Sequence, residues 1–225
     1  MQETRWTKSS GAPSRTVVLA GATGLVGHFL LEGLLADSTV AAVHALGRRK
    51  LGDLHPKLTS HVVDFAALPS LPSVDEVYLA LGTTLKVAGS PAAQRAVDFD
   101  ANLAVARAVL AAGARRLGLV SSGFADAKSR NYYRRMKGEL EEALSQLPFE
   151  GLLFARPPPL AGDRAALGQR PRPAERAYGA LARVIAPLLP ERLRPIAAAQ
   201  VARVLLARVP TVQGRVVLTA GELHG

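Results

Sequence analysis

Stretches apolar at nearly every position alternate along the chain with stretches apolar only every third or fourth. Thr16-Val-Val-Leu-Ala20, Val40 to Leu46, His61-Val-Val-Asp64, Asp75 to Leu81, Leu117 to Val120, Phe149 to Ala155 and Arg215 to Thr219 are of the first kind. Runs of this length and composition predict strands buried on both faces; His61–Asp64 is shorter and edge-like. The segment leading to Ala36, Pro91–Ala112, Arg130–Leu147, Ala174–Leu189 and Ala197–Val209 have helical spacing. Gly113 is placed to end the second of these. Strands alternating with helices predict an α/β fold, a doubly wound parallel sheet in three α/β/α layers. Pro171, Pro173, Pro187, Pro190 and Pro195 punctuate the C-terminal part. They predict a small irregular substrate-side lobe over about 157–195 within a single domain, 16–225. Residues 1–15 read as a flexible polar tail. They lack the apolar stretch of a secretion signal, and no apolar run approaches the ~18 residues of a membrane span. Together these predict a cytoplasmic protein.

Charge adds one feature. The 225 residues hold 28 Lys+Arg against 18 Asp+Glu, a net charge of +10. From Arg156 to Arg215 there are 11 Arg, no Lys and three acids, so most of the excess lies there. Stacking on single-stranded nucleic acid needs aromatics set among the basic residues, and that stretch holds only Tyr178. The readings left are a solvated basic surface or a wall that attracts an anionic small-molecule substrate; no specific nucleic acid and no membrane are expected as partners. The chain has no Cys, which excludes a disulfide frame, a thiolate metal site and a thiol nucleophile. Its His residues show no metal-ligand spacing, and no Gly-x-Ser-x-Gly elbow occurs.

In open parallel sheets ligands sit at the carboxyl ends of the strands. Three motifs fall at those ends. Gly21-x-x-Gly24-x-x-Gly27 follows the first strand and opens a helix. In that context the glycines allow a tight turn, close approach of backbone to a pyrophosphate, and close helix–strand packing. Arg48-Arg49-Lys50 ends the second strand, where an enzyme for the non-phosphorylated cofactor usually carries an acid. Arg grips a 2′-phosphate through two parallel hydrogen bonds, so NADP(H) is the expected cofactor. Tyr133-x-x-x-Lys137 lies on a predicted helix after the strand end Ser121-Ser122. Residues four apart share a helix face. An ammonium beside a phenol favours the phenolate, so Tyr133 becomes a proton relay and either Ser121 or Ser122 a partner for the same substrate oxygen.

With GATGLVG at 21–27, GRRKL at 47–51, VDF at 63–65, LGTT at 81–84, SSG at 121–123, YRRMKGELE at 133–141 and ARP at 155–157, the chain resembles the atypical short-chain dehydrogenases/reductases. It looks nearest to their Tat-interacting oxidoreductase-like branch. The resemblance covers about 16–165. It implies an NADP-binding Rossmann fold in which Gly21, Thr23, Gly24, Leu25, Val26 and Gly27 surround the phosphates and Arg48 and Arg49 hold the 2′-phosphate. Asp64 and Phe65 would lie by the adenine. Leu81 and Gly82, with Thr83 beside them, would follow the ribose and pyrophosphate. Tyr133 would exchange the proton and Lys137 would contact the nicotinamide ribose. Leu160 would close over the nicotinamide, and Arg170 is a further cofactor candidate. The function expected is an oxidoreductase moving a hydride to or from a small carbonyl or alcohol. A cofactor-binding sensor or interaction protein without catalysis, and a nucleotide-sugar epimerase or dehydratase, are the alternatives.

Overall fold

The computed structural model describes residues 14–52, 55–161, 190 and 193–224. Arg170, the helix expected over Ala174–Leu189, the N-terminal tail up to Pro13 and most of the expected C-terminal lobe lie outside the described residues.

Among the described residues, seven parallel strands form one sheet. They are β1 (Arg15–Ala20), β2 (Val40–Gly47), β3 (Leu58–Val62), β4 (Glu76–Leu79), β5 (Arg116–Val120), β6 (Gly151–Ala155) and, after a two-stranded annex of β7 (Leu160–Ala161) and β8 (Ile196–Ala197), β9 (Gly214–Leu218). The order across the sheet is β3-β2-β1-β4-β5-β6-β9. Chain direction across the sheet therefore reverses between β1 and β4, the crevice where such sheets bind ligands. Side chains alternate between two cores, as the two-residue strand period requires. Val17 and Leu19 pack with Leu30 and Leu34 of α1 (Leu25–Ala36), and with Val201 and Leu205 of the helix Ala198–Arg208. Val18, Val77 and Leu119 face the opposite side, against Val109 of the helix Ala101–Ala111 and against Leu140 and Leu144 of the helix Tyr132–Ser145. The doubly wound, three-layer α/β expectation is met.

Several elements differ from their sequence expectation. The third strand runs Leu58–Val62, not His61–Asp64, because as the edge strand it pairs with β2 alone and Val43 sits opposite Leu58. The chain leaves the sheet after the Val63 N–H bonds Gly47 O, which puts Asp64 in a turn, its carboxylate accepting the Ala66 N–H at 2.9 Å. The segment Pro91–Ala112 is one helical run with a defect. α3 (Pro91–Arg95) and α4 (Ala101–Ala111) are separated by a π-turn over Ala96–Asp100, and such turns gather at functional sites. A short helix, α2 (Leu85–Ala88), was not expected; Thr84 caps it. Among the described residues, the remaining α-helices are α5 (Tyr132–Ser145), α6 (Ala198–Arg208) and α7 (Ala220–His224). Gly113 does end α4's run, at φ +99°.

Candidate active site

The glycine turn sits at the β1/β4 crevice, and its shape is dictated by contacts that leave no room for a side chain. A Cβ on Gly21, which has φ +95°, would lie 2.5 Å from Ala80 O at the end of β4; one on Gly27 would lie 1.9 Å from Gly21 O. Gly24 begins α1 with no side-chain cap. The first N–H groups of a helix have no partner within it, so this end offers bare donors and a partial positive charge. Leu25 and Val26 are each 4% exposed, so at this turn they present backbone and not side chain. Thr23 is exposed at the mouth of the turn. The cradle fits a pyrophosphate.

Arg48, Arg49 and Lys50 are exposed just past β2. No ion pair is found for any of the three among the described residues. Phe65 lies half-buried against the core on the α4 and α5 side, with Leu81. Leu160, in β7, packs against the other core.

Across the crevice, α5 carries Tyr133, Lys137 and Glu141, four residues apart and so on one face. Asn131 starts this helix, its side chain accepting the Arg134 N–H at 3.1 Å. Tyr133 is 37% exposed, whereas Lys137 is buried. The Lys137 Nζ lies 5.8 Å from the Tyr133 ring centroid and 2.8 Å from Asp98 Oδ1 in the π-turn. Burial works against the ammonium; Tyr133, the charge and hydrogen bond of Asp98, and the charge of Glu141 together outweigh it and hold the Lys137 pKa above the ordinary lysine value. Asp98 Oδ2 accepts the Thr83 N–H at 2.7 Å. Asn102, on α4, donates to Leu81 O at 3.2 Å and to Asp98 O at 3.0 Å. The turn Leu81-Gly82-Thr83 is thereby tied to the π-turn and to Lys137.

The two serines at the end of β5 have separate surroundings. The Ser121 hydroxyl donates to buried Glu141 Oε1 at 2.5 Å, and Arg156, at the end of β6, donates to both Glu141 oxygens. Ser121 thus belongs to a buried network that ties α5 to the ends of β5 and β6. No hydrogen bond of the Ser122 hydroxyl is found among the described residues. Tyr132 is turned elsewhere, its hydroxyl donating to Pro91 O at 2.7 Å. Sequence reasoning passed over Asp98, Asn102, Glu141 and Arg156. Glu141 had a signal, since it continues the Tyr133–Lys137 face by one more turn; Asp98 had none, since an acid in an amphipathic helix reads as solvent-facing.

No protein-family model matches the chain. Among characterised sequences, the mitochondrial Fmp52 protein of Emericella nidulans is 38% identical over 169 residues, 71% of this chain and 71% of that one. The mitochondrial Fmp52 protein of Aspergillus fumigatus is 38% identical over 171 residues, 72% of this chain and 71% of that one. The chain belongs to the Fmp52 family. Its Fmp52 relatives are named as mitochondrial proteins, which overturns the cytoplasmic expectation. That expectation rested on the lack of a secretion signal, which does not distinguish cytosol from an organelle. Among the described residues, no helix is long and apolar enough to cross a membrane.

Solved structures of short-chain dehydrogenases/reductases are similar to this chain in fold. A Burkholderia thailandensis oxidoreductase of that family superposes with TM-score 0.67 at 21% identity, over 95% of this chain and 94% of that one. MoeE5 in complex with UDP-glucuronic acid and NAD gives TM-score 0.67 at 19% identity, over 91% and 76%. At these identities the likeness is one of fold.

Proposed function

We propose that the chain is an NADP(H)-dependent oxidoreductase acting on a small carbonyl or alcohol, with Tyr133 as proton donor and acceptor. The observation that carries this reading is the half-open Tyr133 ring set 5.8 Å from the buried Lys137 ammonium, across the crevice from an uncapped glycine turn. A buried ammonium has no structural need of an exposed phenol; a proton relay needs both. NADP(H), when bound, supplies or accepts the hydride. Gly21 to Gly27 receive the pyrophosphate on backbone N–H groups. Arg48 and Arg49 take the 2′-phosphate, where an exposed cluster with no ion pair among the described residues supports the phosphorylated cofactor over NAD(H). Asp64 and Phe65 flank the adenine, and Leu81 to Thr83 line the ribose and pyrophosphate. In the reducing direction Tyr133 passes its hydroxyl proton to the substrate oxygen; in the oxidising direction it takes that proton back. Ser122, whose hydroxyl is not engaged elsewhere among the described residues, holds the same oxygen.

Three of the arginines on or against α5 are paired with acids of that helix. Arg95 and Arg135 both face Glu139, and Arg156 is paired with Glu141. Arg134 lies over the Phe124 ring at 4.7 Å and has no acidic partner among the described residues. This favours a substrate bearing a carboxylate or phosphate.

The test is NADPH consumption with a panel of aldehydes, ketones and oxo-acids. Wild type is expected to turn over at least one, and Tyr133→Phe to lose roughly 10²–10⁴-fold while keeping its affinity for NADPH. Equal turnover by Tyr133→Phe overturns the relay. The commitment of the Ser121 hydroxyl to Glu141 favours a second reading, a sensor that binds NADP(H) without turnover; tight binding with no consumption across the panel is its signature.

A further inference from the structure

Asp98 is buried, carries a charge, and belongs to none of the motifs that point to a cofactor. It sits in the π-turn and uses its two oxygens on two different partners: Oδ1 lies 2.8 Å from Lys137 Nζ, and Oδ2 accepts the Thr83 N–H at 2.7 Å. The backbone of Gly82 runs directly against this pair. A Cβ there would stand 3.4 Å from Asp98 Oδ1 and 4.0 Å from Lys137 Nζ. Among the described residues, the ion pair with Asp98 is the one salt bridge of Lys137 Nζ.

A buried ion pair is weak evidence of stabilisation, because apolar residues of similar volume often serve as well. Its retention calls for another explanation. We propose that Asp98 is a positioning residue: it fixes the Lys137 ammonium against the Leu81–Thr83 turn, so that cofactor affinity at that turn depends on one buried carboxylate. The proposal rests on the reading of this crevice as an NADP(H) site. The titratable and charged groups facing Nζ are Asp98 from the π-turn, Tyr133 and Glu141 from its own helix, and Arg156 behind Glu141 from the end of β6; the Leu81–Thr83 turn brings none. Among the described residues, Asp98 is the only carboxylate within ion-pair distance of Nζ. Without its charge, burial tells against the ammonium and Lys137 loses its proton at lower pH.

The test is calorimetric titration of NADP⁺ into the full chain from mildly acidic to alkaline pH, for wild type, Asp98→Asn, Asp98→Glu and Lys137→Met. Asn keeps an oxygen for the Thr83 N–H and removes the charge. Asp98→Asn is expected to approach wild-type affinity at the acid end and to weaken by about tenfold as pH rises, at a lower pH than wild type weakens. Asp98→Glu keeps the charge but moves it by one methylene. It is expected to bind more weakly than wild type without that displacement of the pH profile, and it decides the matter if Asp98→Asn does not fold. Wild-type affinity at every pH in a folded Asp98→Asn, or in Asp98→Glu where the first variant does not fold, overturns the proposal. If Lys137→Met weakens binding and the Asp98 variants do not, the positioning role falls and the site stands; if wild type binds no NADP⁺, both fall.

Discussion

Replacing Ser121 and Ser122 separately by Ala separates a structural hydroxyl from a reacting one, although the two are adjacent in sequence. Ser121→Ala removes a 2.5 Å hydrogen bond to the buried Glu141 carboxylate. Hydrogen bonds to charged groups contribute about 1.5–3 kcal/mol. Glu141 keeps Arg156 on both oxygens, so the carboxylate is not stranded and the low end of that range applies. A domain of this size loses about 2–4 °C of Tm per kcal/mol, which gives a fall of about 3–6 °C. Ser122→Ala removes a hydroxyl with no partner among the described residues, and its effect should stay within about 0.5 kcal/mol. Turnover is expected to follow the opposite order, with Ser122→Ala losing about 10²–10³-fold if its hydroxyl meets the substrate oxygen and Ser121→Ala losing a few-fold. Thermal melts beside steady-state kinetics read both effects. In a Glu141→Gln background the stability effect of Ser121→Ala should shrink, because the charge that strengthened the bond has gone. A Ser121→Ala protein that melts like wild type and has lost turnover refutes the assignment.

NADPH is expected to bind at least about tenfold more tightly than NADH, with the difference abolished in Arg48→Ala/Arg49→Ala; calorimetry with both cofactors reads it, and equal affinities in wild type count against the 2′-phosphate site. Gly27→Ala places a Cβ 1.9 Å from Gly21 O, a backbone atom that no rotamer change relieves, so α1 must shift; a loss above about 4 kcal/mol is expected by chemical denaturation, and a native-like midpoint would show that the turn is looser than described. His44 Nδ1 lies 3.0 Å from His61 Nε2 across β2 and β3. Burial, then the neighbouring His61, holds the His44 pKa below its ordinary value. Below about pH 6.5 the unfolded chain takes up a proton that folded His44 resists, so this residue's contribution to stability is present above that pH and is lost as pH falls through the folded pKa. His44→Gln should flatten the acid side of a Tm-against-pH plot, and an unchanged slope would remove the pair from the account.

The sheet was legible because its strands are covered on both faces and read as unbroken apolar runs; only the edge strand β3, half polar and paired on one side, slipped in register. The glycine turn was legible because each of its contacts excludes a Cβ, leaving a spacing that chance seldom sets between a strand and a helix. Tyr133 and Lys137 were legible as a pair for the same geometric reason. Asp98 was not. Its burial follows from the π-turn, a defect that no helical periodicity announces, and from the convergence of Leu81–Thr83 on it from another part of the chain. The serines could not be ranked from sequence, since what separates them is Glu141, twenty residues beyond Ser121 and on a different element.

The claim at the centre is that this crevice moves a hydride. Wild-type protein given NADPH carrying two deuterons at nicotinamide C4, together with the carbonyl substrate found in the panel, is predicted to place one deuteron on the carbon of the product alcohol, with Tyr133→Phe binding the cofactor but transferring roughly 10²–10⁴-fold more slowly. Absence of deuterium from any product while wild type holds NADPH tightly would contradict the account and leave a cofactor-binding protein without the chemistry.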